Sequence, residues 1–268
     1  MAYGCDEHLA GCLRGLTAQL LVTVVDNSQD AGVAALSREL GATYVDPGVN
    51  LGFAAGVNLG VRQVRHDADV LVVNPDALVT PDVVAALTAR RGARVAAVSP
   101  LLAAPDGTPQ RVRWPFPSPG RAWRQALLGG DGGAVGEGFL VGAVLLLSRA
   151  ALEQVGGFDE QFFLYAEETD WQRRAHLAGW QLVLCEDATA VHVGGATSSD
   201  ETRRTALFHA GTETYLRKWY GPRGWQVFRA AVIASALLRA LVRGRDRRES
   251  LARARLYLAG PRRVAGLH

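Results

Sequence analysis

Three carboxylates fall within four positions in the stretch "FFLYAEETDW", Phe162 to Trp171. Glu167, Glu168 and Asp170 stand there between an aromatic cluster and a tryptophan. Like charges this close repel, and crowding beside aromatics raises at least one carboxyl pKa, which suits a general base. Such a base takes the proton from a hydroxyl as it attacks. The alternative is a charged first turn of the helix predicted over "DWQRRAHLAG", where Asp170 favours the helix dipole. The two readings are compatible.

Other polar residues stand where apolar runs stop. Asp26-Asn27 closes "AQLLVTVVDNS", Asn50 leads into "NLGFAAGVNLG", and Asn74-Pro75-Asp76 closes "ADVLVVNPD". Ligands of an open parallel sheet bind beyond the carboxyl ends of its strands, so three such ends together say more than any one motif. Asp26 suits a bond to a base or ribose, and equally an Asx turn. Gly52, Gly56 and Gly60, spaced by four, allow close approach to a nucleotide or pack a helix on the sheet. Asp76, delivered by an apolar strand, suits a hard cation such as Mg²⁺ or Mn²⁺ bridging a diphosphate; a plain turn is the alternative. His192 ends another apolar strand. It is structural, or completes a metal site if it meets Asp76 across a cleft.

The elements that must position these groups alternate. "AQLLVTVV", "ATYVDP", "ADVLVV" and "VAAVSPLL" read as strands, and "AGVAALSRELG", "LGFAAGVNLGVRQV" and "TPDVVAALTARRG" as helices between them. The last has Thr at the N-cap and Pro at the first helical position. This alternation predicts an α/β fold, a mainly parallel, doubly wound sheet flanked by helices. From Pro105 the text turns rich in Pro, Gly and Arg, and reads as a long surface loop to Gly138. That loop is a lid or ligand-contacting element carrying Arg111, Arg113, Arg121 and Arg124, which could reach phosphates, or is merely solvated. "FLVGAVLLLSRAALEQVGG" reads as strand then helix, and "QLVLCEDATAVHVGG" as a strand pair ending at His192.

At 268 residues and 49% hydrophobic, the chain can bury a real core. Cys5, Cys12 and Cys185 show no zinc spacing and cannot all pair, which favours a reducing cytoplasmic compartment. The N-terminus lacks the basic start and apolar run of a leader. No stretch reaches the roughly 18 apolar residues of a spanning helix. The net charge of +3 is uneven. Residues 221–268 carry eleven arginines against Asp246 and Glu249, while residues 1–220 carry 18 basic and 24 acidic side chains. The boundary is therefore drawn between a domain over 1–220 and a basic helical tail over 221–268. No basic-aromatic recognition module accompanies the arginines, which argues against a nucleic-acid partner.

In order, "VVDNS", "NLGFAAGVNLG", "VVNPDA", "GGFDEQFFLYAEETDW" and "AGWQLVLCEDATAVHVGGAT" resemble the family 2 inverting glycosyltransferases of GT-A fold. The rhamnosyltransferase-like bacterial members that build cell-wall and surface polysaccharides are the nearest in pattern. The resemblance spans about Ala2 to Tyr220. It implies a UDP- or dTDP-linked sugar donor, Mg²⁺ or Mn²⁺, and a glycan or polyprenyl-linked acceptor. Asp76 matches the last carboxylate of the family's DxD signature, with Asn74 in place of the first. Asp26 matches the contact to the base, with Asn27, Asn50, Gly52, Asn58 and Asn74 in the donor site, and His192 joins Asp76 at the metal. Glu168 stands in the general-base position, with glutamate for the commoner aspartate, and Glu167 is its neighbouring candidate. Trp171, Trp180 and Asp170 are acceptor-side candidates, with core packing the alternative for the tryptophans.

Relatives begin with a full strand ahead of the "AYG" segment. Here most of it is missing, so either the true start lies upstream or a core strand is lacking. The tail's apolar helix and arginines suit the anionic inner face of a plasma membrane, or packing on the domain or a second subunit. Two rivals remain: a nucleotidyltransferase of related fold, which wants a triphosphate loop not seen here, and a non-catalytic nucleotide-sugar or glycan-binding protein.

Overall fold

A computed structural model describes residues 1–4, 6–129, 138–194, 201–242 and 247–267. Cys5, the glycine-rich stretch 130–137, and Arg243 and Arg245 of the tail lie outside the described residues. The chain opens with α1 (Asp6–Thr17), β1 (Thr23–Val25), α2 (Ala31–Glu39), β2 (Thr43–Val45) and α3 (Gly52–Gln63). Next come β3 (Val70–Val73), β4 (Ala77–Leu78), α4 (Pro81–Ala89) and β5 (Val95–Ala103). The middle holds β6 (Pro109–Gln110), β7 (Arg113–Trp114), α5 (Pro119–Leu128), β8 (Phe139–Leu140), β9 (Val144–Leu147) and α6 (Arg149–Val155). It closes with α7 (Glu167–Leu177), β10 (Gln181–His192), α8 (Glu201–Val242), α9 (Arg247–Ala259) and α10 (Pro261–Val264).

The chain divides into two compact units. The first comprises Met1–Trp114, Gly138–Phe163 and Glu167–Ser199. Its larger sheet has the order β3-β9-β5-β10-β4, with β6 paired to β5. β9 runs antiparallel to β3 and β5, and β10 parallel to β5, so the long strands β3, β5 and β10 share one direction. β4 returns antiparallel beside the end of β10 with Ala77 opposite His192, a register that sets Asp76 next to the histidine. The apolar runs that announce these strands fill the core with Val72, Val98, Leu102, Val144, Leu145 and Leu147, and α7 adds Trp171. β1 and β2 form a separate parallel pair. Ala2 bridges β1 on its other edge, donating to the Val25 carbonyl at 2.8 Å and accepting from the Asn27 N–H at 3.0 Å.

The second unit comprises Pro115–Glu137, Leu164–Ala166 and Asp200–His268. α8 breaks at Gly221, φ 66°, ahead of Pro222, because proline cannot continue the hydrogen-bond ladder. This kink lies inside the second unit, which takes in residues 200–220 as well as the basic tail read over 221–268. Trp225, Tyr215 and Tyr257 are fully buried. Arg229 crosses to α9 and donates to the Tyr257 and Leu258 carbonyls at its carboxyl end, at 2.7 and 2.9 Å.

Three local expectations are corrected. The stretch from Pro105 is not one long loop: it forms β6, β7 and α5, the helix being capped by Ser118, which accepts from the Arg121 N–H. "QLVLCEDATAVH" is one strand rather than two, because the register shift between Cys185 and Thr189 absorbs the exposed Glu186 and Asp187 as a bulge. The N-terminal stretch, read only for its lack of a leader, contributes α1. Among the described residues no helix is long and apolar enough to cross a membrane.

Candidate active site

The carboxyl end of β1 turns into a polar knot. Asp26 is fully buried; its Oδ1 accepts from the N–H and hydroxyl of Ser28, and its Oδ2 from the Asp30 N–H and the Tyr44 hydroxyl. The bonds from Ser28 and Asp30 form the turn that closes β1. The turn's polar neighbour reaches α3: Asn27 donates to the Gly52 carbonyl at 2.8 Å and accepts from the Leu51 N–H at 3.3 Å. Asn50, exposed, accepts from the Gly52 N–H at 2.9 Å. Gly52 has φ +77°, and any Cβ there would overlap the Phe163 carbonyl, which accepts from the Phe53 N–H. The helix entry is thereby bonded to the backbone four residues before Glu167. Asn58 was expected among the donor contacts. Its amide instead clasps Phe158, donating to the carbonyl at 2.8 Å and accepting from the N–H at 2.9 Å, and also donates to Glu160.

At the end of β3 the Asn74 N–H donates to the Ala143 carbonyl at 2.9 Å, and half-buried Asn74 stands two residues before Asp76. Asp76 is buried. Its Oδ2 accepts from the Gly194 N–H at 3.1 Å, and its Oδ1 faces His192 Nε2 at 3.5 Å, longer than an ordinary hydrogen bond. The two residues expected to share a metal are thus together. A buried carboxylate oxygen and an imidazole nitrogen at that spacing fit a divalent cation such as Mn²⁺. Among the described residues no group of three or more His, Cys, Asp or Glu converges. Among the described residues, Asp76 and His192 are the pair that could hold such a cation.

The acidic stretch opens α7. Glu167, Glu168 and Asp170 all lie in its first turn, where the helix dipole favours them. Just before it, Tyr165 and Ala166 both have φ 70°, the left-handed region that costs a non-glycine residue about 1–3 kcal/mol. Glu167 is 4% exposed, and its carboxyl pKa is raised well above the ordinary value, first by burial and then by the charge of Glu168. Glu168 is half-buried, its Cγ 3.2 Å from where a Cβ on Gly142 would sit. Gly142 and Ala143 lie in the turn between β8 and β9. That turn therefore meets the base candidate on one residue and the Asn74–Asp76 corner on the next.

Two acceptor-side candidates belong to the core. Asp170 has no exposure and binds Arg174 Nε at 2.9 Å, while that guanidinium also donates to the Val155 and Gly157 carbonyls. Trp171 is likewise fully buried, edge-on to Phe158, with its N–H donating to the Gly156 carbonyl at 2.8 Å. Neither presents a face to a sugar. Trp180 is also buried, its N–H bonded to Gln154 and its ring under Arg94.

Two glutamines escaped the sequence reading. Gln172, fully buried, pairs with both backbone groups of Leu140, like a neighbouring strand, at 2.8 and 2.7 Å. It fixes α7 against β8, next to the turn that holds Glu168. Gln110 bonds His192. A polar residue with helical spacing was the only available signal for Gln172, and there was none for Gln110.

The family model described as "Glycosyltransferase like family 2" matches residues 1–210. An N-acetylglucosaminyl-diphospho-decaprenol L-rhamnosyltransferase of Mycobacterium tuberculosis is 30% identical over 293 aligned positions, covering 94% of this chain and 95% of that protein. The low-salt glycan biosynthesis hexosyltransferase Agl10 of Haloferax volcanii is 26% identical, covering 80% of this chain and 70% of its own. Among solved structures, glucosyl-3-phosphoglycerate synthase from Mycobacterium tuberculosis, in complex with Mn²⁺, uridine diphosphate and glucosyl-3-phosphoglycerate, shares the fold. Its TM-score is 0.56 at 17% identity, over 81% of this chain and 77% of that one.

Proposed function

The chain belongs to glycosyltransferase family 2, and from that premise we propose an inverting, cation-dependent transfer of a hexose from a UDP- or dTDP-linked donor to a lipid-linked glycan. Rhamnose is the proposed sugar, and cell-wall or surface polysaccharide synthesis the setting. The supporting likeness is to a protein named for L-rhamnosyl transfer on a diphospho-decaprenol acceptor, aligned along nearly the whole of both chains.

The observation that carries the chemistry is the turn between β8 and β9. Gly142 lies against Glu168, and Ala143 is bonded to Asn74, two residues from Asp76. A base and a diphosphate-binding corner held by adjacent residues suit a single displacement. In that step the acceptor oxygen forms its bond to the anomeric carbon as the bond to the diphosphate oxygen breaks, and the hydroxyl proton passes to the Glu168 carboxylate. Burial and the neighbouring charge raise the Glu167 carboxyl well above the ordinary carboxylate range, which favours Glu168 over it as the proposed base. A divalent cation, Mg²⁺ or Mn²⁺, held by Asp76 and His192 would neutralise charge on the departing diphosphate. Asn50 and Asn74 are the proposed donor contacts; Asp26, Asn27 and Asn58 hold the loops that carry them.

The second unit suits a lipid-linked acceptor's surroundings. α8 exposes an apolar stripe at helical spacing, formed by Val227, Ala230, Ala234, Leu237, Leu238 and Leu241. α5 packs on α8, with Trp123 donating to the Val227 carbonyl, and exposes Leu127 and Leu128. Exposed Arg223, Arg239, Arg247 and Arg248 accompany the stripe. We read this face as lying on an anionic leaflet. A symmetric dimer through it would set two arginine-rich tails against each other.

Incubation with UDP-, dTDP- and GDP-sugars, Mn²⁺ and a polyprenyl-diphospho-N-acetylglucosamine acceptor tests the function. Release of one nucleoside diphosphate, matched by an elongated acceptor of inverted anomeric configuration, is expected. Donor binding without that release would overturn it.

A further inference from the structure

Gln110 makes two bonds to one residue 82 positions away. Its Nε2 donates to the His192 backbone carbonyl at 2.7 Å, and its Oε1 lies 3.0 Å from His192 Nδ1. The first bond fixes the orientation of the amide, because only the NH₂ end can donate to a carbonyl. The oxygen is therefore the end that meets the ring, and an oxygen acceptor calls for a proton on Nδ1. A neutral imidazole has one ring proton, so Nε2 then carries a lone pair. That lone pair faces Asp76 Oδ1 at 3.5 Å. Two acceptors confront each other, an arrangement relieved by a cation between them or by a second ring proton.

We propose that Gln110 is a positioning residue that holds His192 in the Nδ1–H tautomer and so aims its Nε2 lone pair at the site shared with Asp76. The role rests on the reading of Asp76 and His192 as a divalent-cation pair. It explains why β6, only two residues long, pairs with β5 at Leu102 and Gln110: that register sets the amide against the end of β10. Outer partners of ligating histidines orient the ring and raise its basicity, and their loss weakens metal binding about ten- to a hundred-fold.

Two substitutions separate orientation from simple anchoring. Gln110→Met removes both bonds while keeping the side chain's length. Gln110→Glu keeps an acceptor for Nδ1–H but loses the donor to the His192 carbonyl. Mn²⁺ affinity is read by calorimetry, with circular dichroism checking the fold, and the His192 tautomer is read by ¹⁵N NMR on the metal-free protein. The proposal expects the Nδ1–H tautomer in the parent and in Gln110→Glu, with Mn²⁺ affinity largely retained in the latter. Gln110→Met should lose the tautomer preference and about ten- to a hundred-fold in Mn²⁺ affinity. Equal losses in both variants would make Gln110 a mere anchor and overturn the proposal, as would parent-like binding in both. An Nε2–H tautomer in the parent would overturn it without reference to metal. Asp76→Asn is the control for the underlying site: unchanged Mn²⁺ affinity there would reject the cation pair, while the NMR result would still decide what Gln110 does to the ring.

Discussion

The Cγ of Glu168 lies 3.2 Å from the point where a side chain on Gly142 would begin. The carboxylate in the base position thus rests against a residue without a side chain, in a turn whose next residue, Ala143, is bonded to Asn74. A shift of the turn would therefore be felt both by the proposed base and by the proposed diphosphate corner.

Gly142→Ala tests this coupling. The new methyl would press on Cγ at 3.2 Å and on Cβ at 3.4 Å, so the glutamate must give way. Misplacement of a reacting group by about 1 Å costs on the order of a hundredfold in rate. Turnover should fall about ten- to a hundred-fold, with an unchanged circular dichroism spectrum and donor affinity. Parent-like kcat would show that Glu168 is not placed by this contact.

Glu167 gives a pH dependence with a definite sign. Its folded pKa is raised well above the ordinary 4.5, so above that pH the folded state keeps a proton that the unfolded chain releases. Stability associated with the neutral form is then complete below the unfolded value and is lost as pH rises toward and through the folded one. Glu167→Gln stays neutral throughout. In urea unfolding, its stability relative to the parent should improve as pH rises above the ordinary 4.5 toward the raised folded value. Its turnover should stay near the parent's. A relative stability independent of pH would contradict the burial argument.

The apolar stripe on α8 makes a third prediction. The chain should sediment with vesicles rich in phosphatidylglycerol, less so with phosphatidylcholine alone, and weakly at high salt, where screening shortens the reach of the arginines. Replacing Leu237, Leu238 and Leu241 together by serine should release it while leaving transfer to a short soluble acceptor intact. Unaltered sedimentation of that variant would place lipid contact elsewhere.

What was legible in the sequence had local causes. The strands from Thr23, Val70 and Val95 are short apolar runs bounded by turn residues, and the helix from Pro81 is announced by its proline. Ser118-Pro119 carried the same start signal as Thr80-Pro81, but surrounding Pro, Gly and Arg hid it. β6 and β7 are only two residues each, too short for any period to show. The tie between Asp76 and His192 could be suspected because each ends an apolar run. Partnerships set by tertiary contact could not: Asn58 with Phe158, Arg174 with the Val155 and Gly157 carbonyls, and Gln110 with His192. The crowded carboxylates were visible as a group, yet only their burial and their partners separate them. Asp170 is bonded to Arg174 and Glu167 is buried with its carboxyl pKa raised, which leaves half-buried Glu168 as the proposed base.

Glu168→Gln tests that assignment most directly. Donor affinity is measured by calorimetry with the nucleotide sugar and Mn²⁺, and transfer by nucleoside diphosphate release with acceptor present. Loss of a positioned base should lower kcat about 10²–10⁴-fold, while donor binding stays within about twofold of the parent. Turnover near the parent's would contradict the account and move the base to another residue.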